Sequence, residues 1–562
     1  MRREASVVNK KVCSFPILFA LLALLIGTCA VVFPASAQAA PTSTGSITVS
    51  GTVASRYDAY QIFSANVVDG DSDAKIATDL AWASDAVRDA ALPVLHSAGM
   101  PNSQTTAQEA AEWLNTDSHL TSALSAQLAR SLQSSGAVPV TLNAGAAAKL
   151  PCGYWLIVAD DDAIAQNEAG TAPIMALVGG SAVTVKPEAA TPKVSKHVLE
   201  DSTAAWQKAA DATVADDLYW RLSATVPAGL AAYDTYTARF VDTMSAGLDP
   251  SKVAASMRVY VAAGADGGFD AVQTGKDGRA GTDPAKGWTD ITAQCATKVA
   301  ADGTFTVRTG DLIAALGGAD AFTAGARVVA VYNAPLNSAC NHGIAKGNPN
   351  EVYLRYPRSP FADQSGDAGF TRTPSDDACA YTWDLALTKR GSDGDKPLAG
   401  AVLSIVDDRG RTLAADGTWD ADGKATVTTG EDGRVTVSGV DSGKLEVREL
   451  KAPKGYTAFE GTRSVTVKAE GLDVDQVAAA KPKLTITAES PLRADSADGS
   501  TGSLEASLIN TPTGTPPSIT TGGFMPSTGD MAMYAAAAAA VAGAALIVVA
   551  LLVKRGGGSH KE

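Results

Sequence analysis

The 562-residue chain has little histidine, little aromatic surface and no clustered base. Its five histidines stand at 96, 119, 197, 342 and 560, with no pair at metal-ligand spacing. No H-E-x-x-H, G-x-S-x-G or phosphate-loop pattern occurs, which argues against zincin, hydrolase-elbow and nucleotide-loop chemistry. Neither a metal nor a cofactor is expected, and turnover of an external substrate is not. Asp69, Asp71 and Asp73 alternate as in a calcium loop but lack the glycine at the sixth position and the glutamate at the twelfth, so they read as a turn. With 46 Lys and Arg against 60 Asp and Glu, the formal charge is −14. Phosphate binding needs clustered cations, so no nucleic-acid partner is expected. Aromatics make up 6% of the chain, beside 52 glycines. Few large core anchors and many turns suit several stacked β-domains better than one large core.

Apolar runs of membrane length lie at the two ends. Arg2, Arg3, Lys10 and Lys11 precede an apolar core from Phe15 to about Val32, followed by Ala35-Ser36-Ala37-Gln38-Ala39. Charged start, apolar middle and small-residue exit read as a secretory signal peptide over 1–39, cut after Ala39, with an uncleaved anchor as the rival. At the other end Ala535–Val553 gives 553 − 535 + 1 = 19 apolar residues. That is about enough to cross a bilayer core of roughly 30 Å. Lys554 and Arg555 follow as stop-transfer charges. Met525-Pro526-Ser527-Thr528-Gly529, just ahead, is more than a plain anchor needs and points to a cut. Outside the cell Cys152, Cys295, Cys340 and Cys379 can oxidise. Three pairings are open, with Cys295–Cys340 preferred and Cys340–Cys379 second.

Between the ends the chain reads as mainly β, in three units. The first, 43–187, opens with the alternating GSITVSGTV, with YDAYQIF as its expected hairpin partner, and closes with YWLIVAD and SAVTVKP. A helical insertion lies within it: Thr106-x-x-Glu109 fits a capping box, and Leu120, Leu124 and Leu128 share a helix face. The second, 190–360, strings strand patterns from TPKVSKHV to NEVYLRYP. The third, 377–512, has the cleanest alternation, and Asp432-Gly433 signals a hairpin. Residues 513–524 form a Pro/Gly/Thr linker.

The third unit sets a lysine, a glutamate and an asparagine on apolar strands. Lys389 shares parity with Leu385 and Leu387, and Glu449 with Val447, while Asn510 follows Leu508 and Ile509. If the lysine faces inward, desolvation favours its neutral, nucleophilic amine, and burial favours the protonated acid. Attack of Lys389 on the Asn510 amide would then release ammonia and leave an isopeptide bond. The competing reading is a surface ion pair beside a turn asparagine.

These segments resemble the Cna-B-type domain of Gram-positive sortase-assembled backbone pilins. The strand lysine, Glu449 leading into Ala452-Pro453-Lys454-Gly455-Tyr456, and Asn510 before a small linker occur in the family's order. The resemblance implies tandem Ig-like β-sandwiches and a Lys389–Asn510 crosslink assisted by Glu449. In the second unit it implies Lys196 as amine, Asp242 as acid and Asn350 as amide, with Asn348 a near rival. It casts Met525–Gly529, with Met for the usual leucine, as a sorting signal that a sortase cuts between Thr528 and Gly529; 525–562 is then the motif, the 535–553 span and a basic tail. It implies pilin-specific and housekeeping sortases, copies of this chain, peptidoglycan and a host surface ligand as partners, at the cell wall in a surface pilus. The family's Tyr-Pro-Lys acceptor triplet is absent. Lys186 is the preferred linking lysine and Lys193 the alternative. A singly anchored adhesin or basal subunit is the first rival function, and a secreted enzyme with β accessory domains the second.

Overall fold

The computed structural model describes residues 43–514, apart from 72–73, 117, 171, 188–190, 228–229, 265–286 and 324. The expected signal peptide, the sorting signal with its 535–553 run, and all but the first two linker residues lie outside the described residues. Among the described residues no helix is long and apolar enough to cross a membrane.

The chain is mostly strand and folds as three β units in series. In the first, a five-stranded sheet built on Arg56–Asp69 and Gly153–Ala159 faces a three-stranded sheet in which Thr44–Val49 pairs with Ala147–Pro151 and Val183–Val185. Ile47, Val49, Tyr57, Ala59, Trp155 and Ile157 fill the space between them. The expected hairpin of the opening strands is therefore not formed: they lie in different sheets. The other face of the large sheet carries helices Asp85–Ser97, Ala107–Asn115 and Ser122–Ser134. The Thr106–Glu109 capping box is present. Leu124, Leu128 and Leu132 make the buried face of the third helix, and Leu120 falls just ahead of its Thr121 cap.

The middle unit is a sandwich of six and seven strands. Val194–Glu200, Tyr219–Thr225, Arg327–Asn333 and Arg258–Ala262 run through one sheet, and Asp376–Tyr381, Asn348–Pro357, Arg239–Met244 and Thr304–Arg308 through the other. The strand Asp376–Tyr381, expected at the head of the third unit, belongs here, between Asn348–Pro357 and Ala209–Asp211. The third unit's own strands begin at Trp383. Its first strand, Trp383–Gly391, lies parallel to its last, Ser503–Pro512, with Lys389 opposite Leu508 and Gly391 opposite Asn510. The opposed sheet carries Gly443–Lys451 at its centre. The Asp432-Gly433 turn closes through Gly433 N to Gly430 O, 2.9 Å. It does not make a hairpin; the strands on either side join different sheets.

Among the described residues the four cysteines, Cys152, Cys295, Cys340 and Cys379, are all unpaired, so the expected Cys295–Cys340 bond is corrected. Cys295 adjoins the Arg308 end of the Arg239–Met244 strand, whereas Cys340 sits against Gly247, past its other end. That separation exceeds the roughly 7 Å between Cα atoms that a disulfide can span. Cys379 faces the core of the third unit and Cys340 that of the middle unit, so this pair does not meet either.

The middle and third units are closely joined. Trp383 Nε1 and Ser442 N both donate to Asp211 Oδ2, at 2.7 and 2.9 Å. Gly343, at φ +76, passes so close to the third unit that an added Cβ would sit 2.5 Å from Gly502 N and 2.5 Å from Thr501 C. Gly343→Ala is expected to cost at least about 1–2 kcal/mol, from the left-handed backbone alone. Calorimetry should show Tm lower by a few degrees and limited proteolysis a new cut near 343; an unchanged Tm with no cut would refute the close approach.

Candidate functional site

Two buried clusters of amine, carboxyl and amide stand out, one in each of the last two units. Strand alternation creates the one in the third unit. Leu385, Leu387 and Lys389 share one inward face, Leu445, Val447 and Glu449 another, and Leu504, Ala506, Leu508 and Asn510 a third. The Lys389 and Glu449 side chains are 0% exposed, with Nζ 3.5 Å from Oε1. Lys389 Nζ also donates to Leu508 O at 3.2 Å. Asn510 Nδ2 donates to both oxygens of Glu449, at 2.8 and 3.0 Å. The surface-pair reading is thereby set aside. Lys389 and Asn510 come from neighbouring parallel strands, and Glu449 from the opposed sheet.

The middle unit reaches a similar grouping by another route. Lys196 lies in the six-stranded sheet, while Asp242 and Asn350 lie on adjacent strands of the seven-stranded one, where Met244 is opposite Asn350. All three are 0% exposed. Lys196 Nζ donates to Asp242 Oδ2 and, at 2.9 Å, to the Tyr332 hydroxyl. That hydroxyl accepts from Asn350 Nδ2 at 2.8 Å and donates to Asp242 Oδ2 at 3.2 Å. The Lys196 amine also lies 5.6 Å from the Trp220 ring centre. Asn348 faces inward too, but its amide is used up on Asn341 O and Ala380 O, 2.9 and 3.2 Å away. The two asparagines thus differ in their partners: only the Asn350 amide reaches the Tyr332 hydroxyl beside Lys196.

Burial sets the proton affinities. Desolvation lowers the Lys196 amine to about 8 against the opposing pull of Asp242, and raises the Asp242 carboxyl to about 6 against that of Lys196. Ordinary values of 10.5 and 3.8 thus converge, and moving a proton from amine to carboxyl becomes far easier. Desolvation likewise lowers Lys389 to about 8. Among the described residues the oxygens Oδ1 of Asp242, Asn350 and Asn510 are buried without a hydrogen-bond partner. An unpartnered amide oxygen is costly to bury and ready to accept a proton donor. An amine of lowered proton affinity, a carboxyl beside it and an amide with a bare carbonyl are the components of acyl transfer to nitrogen.

Tyr332 was not singled out from the sequence. The signal was present: ARVVAVYN puts Val328, Ala330 and Tyr332 on one buried face, and a buried phenol needs a polar partner. Lys208 and Asp376 were also missed; Lys208 Nζ contacts Asp376 Oδ2, which accepts from Lys196 N at 2.6 Å and pins that strand. Lys186 and Lys193 are both exposed, the first just after the Val183–Val185 strand and the second just before Val194–Glu200. Met525–Gly529 lie outside the described residues.

Comparison with known proteins bears on the third unit most directly. The chain is 30% identical over 143 residues to the trypsin-resistant surface T6 protein of Streptococcus pyogenes serotype M6, a stretch covering 24% of each. The chain therefore spans about a quarter of the length of the curated relative it matches. A solved structure of the T6 backbone pilin of serotype M6 S. pyogenes aligns over 84% of this chain and 98% of that one, at 16% identity and TM-score 0.44. The major pilin SpaD of Corynebacterium diphtheriae aligns over 84% and 98%, at 15% identity and TM-score 0.40. Residues 384–481 match the family model of the SpaA prealbumin-like fold domain, so the third unit, with Lys389 and Glu449, carries a domain of the kind the sequence resemblance called for.

Proposed function

We propose that this chain is the shaft subunit of a covalently polymerised surface pilus, stapled internally by Lys196–Asn350 and Lys389–Asn510 isopeptide bonds. The observation that carries the reading is the pair of fully buried lysines, each grouped with a carboxyl and an inward-facing asparagine amide. A fold gains little from two buried ion pairs as such, because desolvation offsets most of their attraction. Chemistry explains their placement better. With its proton passed to the carboxylate, each amine attacks the Cγ of its asparagine. The protonated Asp242 or Glu449 then hydrogen-bonds the amide oxygen, and ammonia leaves.

Polymerisation rests on the sorting signal. A sortase cysteine would attack the Thr528 carbonyl and release Gly529, and the acyl group would pass to Lys186 of the next copy, with Lys193 the alternative. A last transfer, to an amine of peptidoglycan, would fix the fibre to the wall. Exposure of both lysines is consistent with an acceptor role. The chain is read as a structural subunit without turnover.

Each bond removes one ammonia, about 17 Da, so intact mass should fall about 34 Da short of the sequence. Lys196→Ala and Lys389→Ala should each abolish one 17 Da deficit; a full-mass wild-type chain would end the crosslink reading. Loss of the Lys389–Asn510 link, which closes 510 − 389 = 121 residues, should cost about 5 kcal/mol on the chain-entropy estimate, seen as a lower Tm in the Asn510→Ala chain.

Crosslinking in the middle unit should be fastest between about pH 6 and 8. Below that window the amine is protonated with no base to relieve it; above it Asp242 has no proton to give. Joined Lys196–Asn350 peptide, quantified after synthesis at stepped pH, tests this; a rate still climbing above pH 9 would contradict it. High-mass ladders in boiled, reduced wall extracts should vanish in Lys186→Ala. Ladders that persist there and collapse in Lys193→Ala would reassign the acceptor, and a single band in the wild type would favour the singly anchored adhesin.

A further inference from the structure

The two clusters differ in what touches the amide nitrogen that must leave. In the third unit Asn510 Nδ2 rests on both oxygens of Glu449, at 2.8 and 3.0 Å. In the middle unit Asn350 Nδ2 rests on the Tyr332 hydroxyl, at 2.8 Å. Aspartate is one methylene shorter than glutamate. Asp242 spends its Oδ2 on Lys196 and Tyr332, and its Oδ1 has no hydrogen-bond partner. The phenol fills the gap. It lies 2.9 Å from the amine that attacks and 2.8 Å from the nitrogen that departs.

We infer that Tyr332 is a catalytic residue of the middle unit's crosslinking reaction, relaying a proton from Lys196 Nζ to Asn350 Nδ2. The inference rests on the crosslink reading above. In the step, Nζ as the free amine bonds to Asn350 Cγ, and the Cγ–Nδ2 bond breaks. Nζ must lose one proton to become an amide nitrogen, and Nδ2 must gain one to leave as ammonia. The Tyr332 oxygen accepts the first as its own hydroxyl proton passes to the second, so the phenol ends as it began and nothing is oxidised or reduced. Before attack the Nδ2 lone pair is delocalised into the carbonyl and the amide can only donate, as observed. After attack the nitrogen is tetrahedral and basic, and the hydroxyl has only to rotate.

The surroundings favour a relay over a free base. Burial holds the Tyr332 phenol well above its ordinary value, so it gives up a proton only as it takes one. The ring is held in place: Phe305 packs edge-on at 4.8 Å between centres. Asp242 is left free to hydrogen-bond the amide oxygen through Oδ1. In the third unit the longer Glu449 meets the amide nitrogen directly.

The test uses the full chain, sampled over time after pulse synthesis, with the joined Lys196–Asn350 and Lys389–Asn510 peptides quantified by mass spectrometry. Tyr332→Phe should slow the first by on the order of a hundredfold and leave the second at the wild-type rate. The Asp242→Glu/Tyr332→Phe double variant should restore the first, because the longer carboxyl can meet the amide nitrogen as Glu449 does; loss of packing alone would not be rescued. Wild-type speed in Tyr332→Phe, or a double variant as slow as the single, would overturn the relay and leave the crosslink standing. Absence of the joined Lys196–Asn350 peptide from the wild type would overturn the crosslink itself.

Discussion

The removal of two lysine amines from water is the constraint on which the rest of the molecule turns. A cation inside a sandwich is tolerable only beside a carboxylate, and even then the pair is close to break-even against apolar packing. Each site therefore has a carboxyl within reach, from the opposed sheet. Trp220 and Tyr332 flank Lys196, with Phe305 packed on the Tyr332 ring, and Leu387, Val447 and Leu508 line the strands around Lys389. At the middle site the same dryness that makes the ion pair poor brings amine and acid together in proton affinity. A structural liability and a chemical opportunity have one cause.

Mechanically the two sites are not equivalent. In the third unit the proposed bond ties neighbouring parallel strands near the end where the chain departs, Gly391 facing Asn510. Tension entering at Trp383 would run along six residues to Lys389, cross the bond and leave through Pro512. The sandwich between, residues 390–509, is out of the load path. The bond proposed for the middle unit would instead tie one sheet to the other. Past Asn350 the chain still runs through Asn348–Pro357 and back along Asp376–Tyr381 before it leaves, and this antiparallel pair would be pulled from its open end, Asn350 opposite Ala378. That is an unzipping geometry. The parallel pairing of Ala209–Asp211 with the returning strand, the Lys208–Asp376 contact and the Trp383–Asp211 bond all brace that end.

What could be read from the sequence was parity. A strand repeats every two residues, so the inward direction of Lys389, Glu449, Asn510, Lys196 and Asp242 follows from their apolar neighbours, and one register slip would have reversed it. Which sheet a strand joins is not local information. Lys196 and Asn350 lie in different sheets, the strands at 44–49 and 56–69 do not pair, and the Asp432-Gly433 turn changes sheets. Residues 377–382 fall inside the third unit's expected bounds, but the hydrogen bonds of the Asp376–Tyr381 strand belong to the middle one. Asn348 and Asn350 share parity, so parity alone does not choose between them, and Asn350 is preferred because Pro349 sets Asn348 off from the strand. Tyr332 went unnoticed for the opposite reason: a tyrosine in a β-rich run is so ordinary that its hydroxyl goes unquestioned.

The seam between the last two units extends the same economy of buried polar groups. Asp211 accepts from Trp383 Nε1 and from Ser442, and lies on the strand that pairs with Asp376–Tyr381. Arg411 of the third unit spans Asp216 of the middle one with two bonds, at 2.5 and 2.8 Å. Bidentate pairs of this kind fix orientation as well as proximity. The returning strand of the middle unit is thus held by its own sheet, by Lys208 and by the unit that follows it. A free hinge at Thr382 would let load peel that strand from its open end; a docked third unit turns the pull toward shear across several strands at once. If the proposed bonds form, the docking of neighbouring units would matter most in the middle unit, where the bond would leave chain in series with the load.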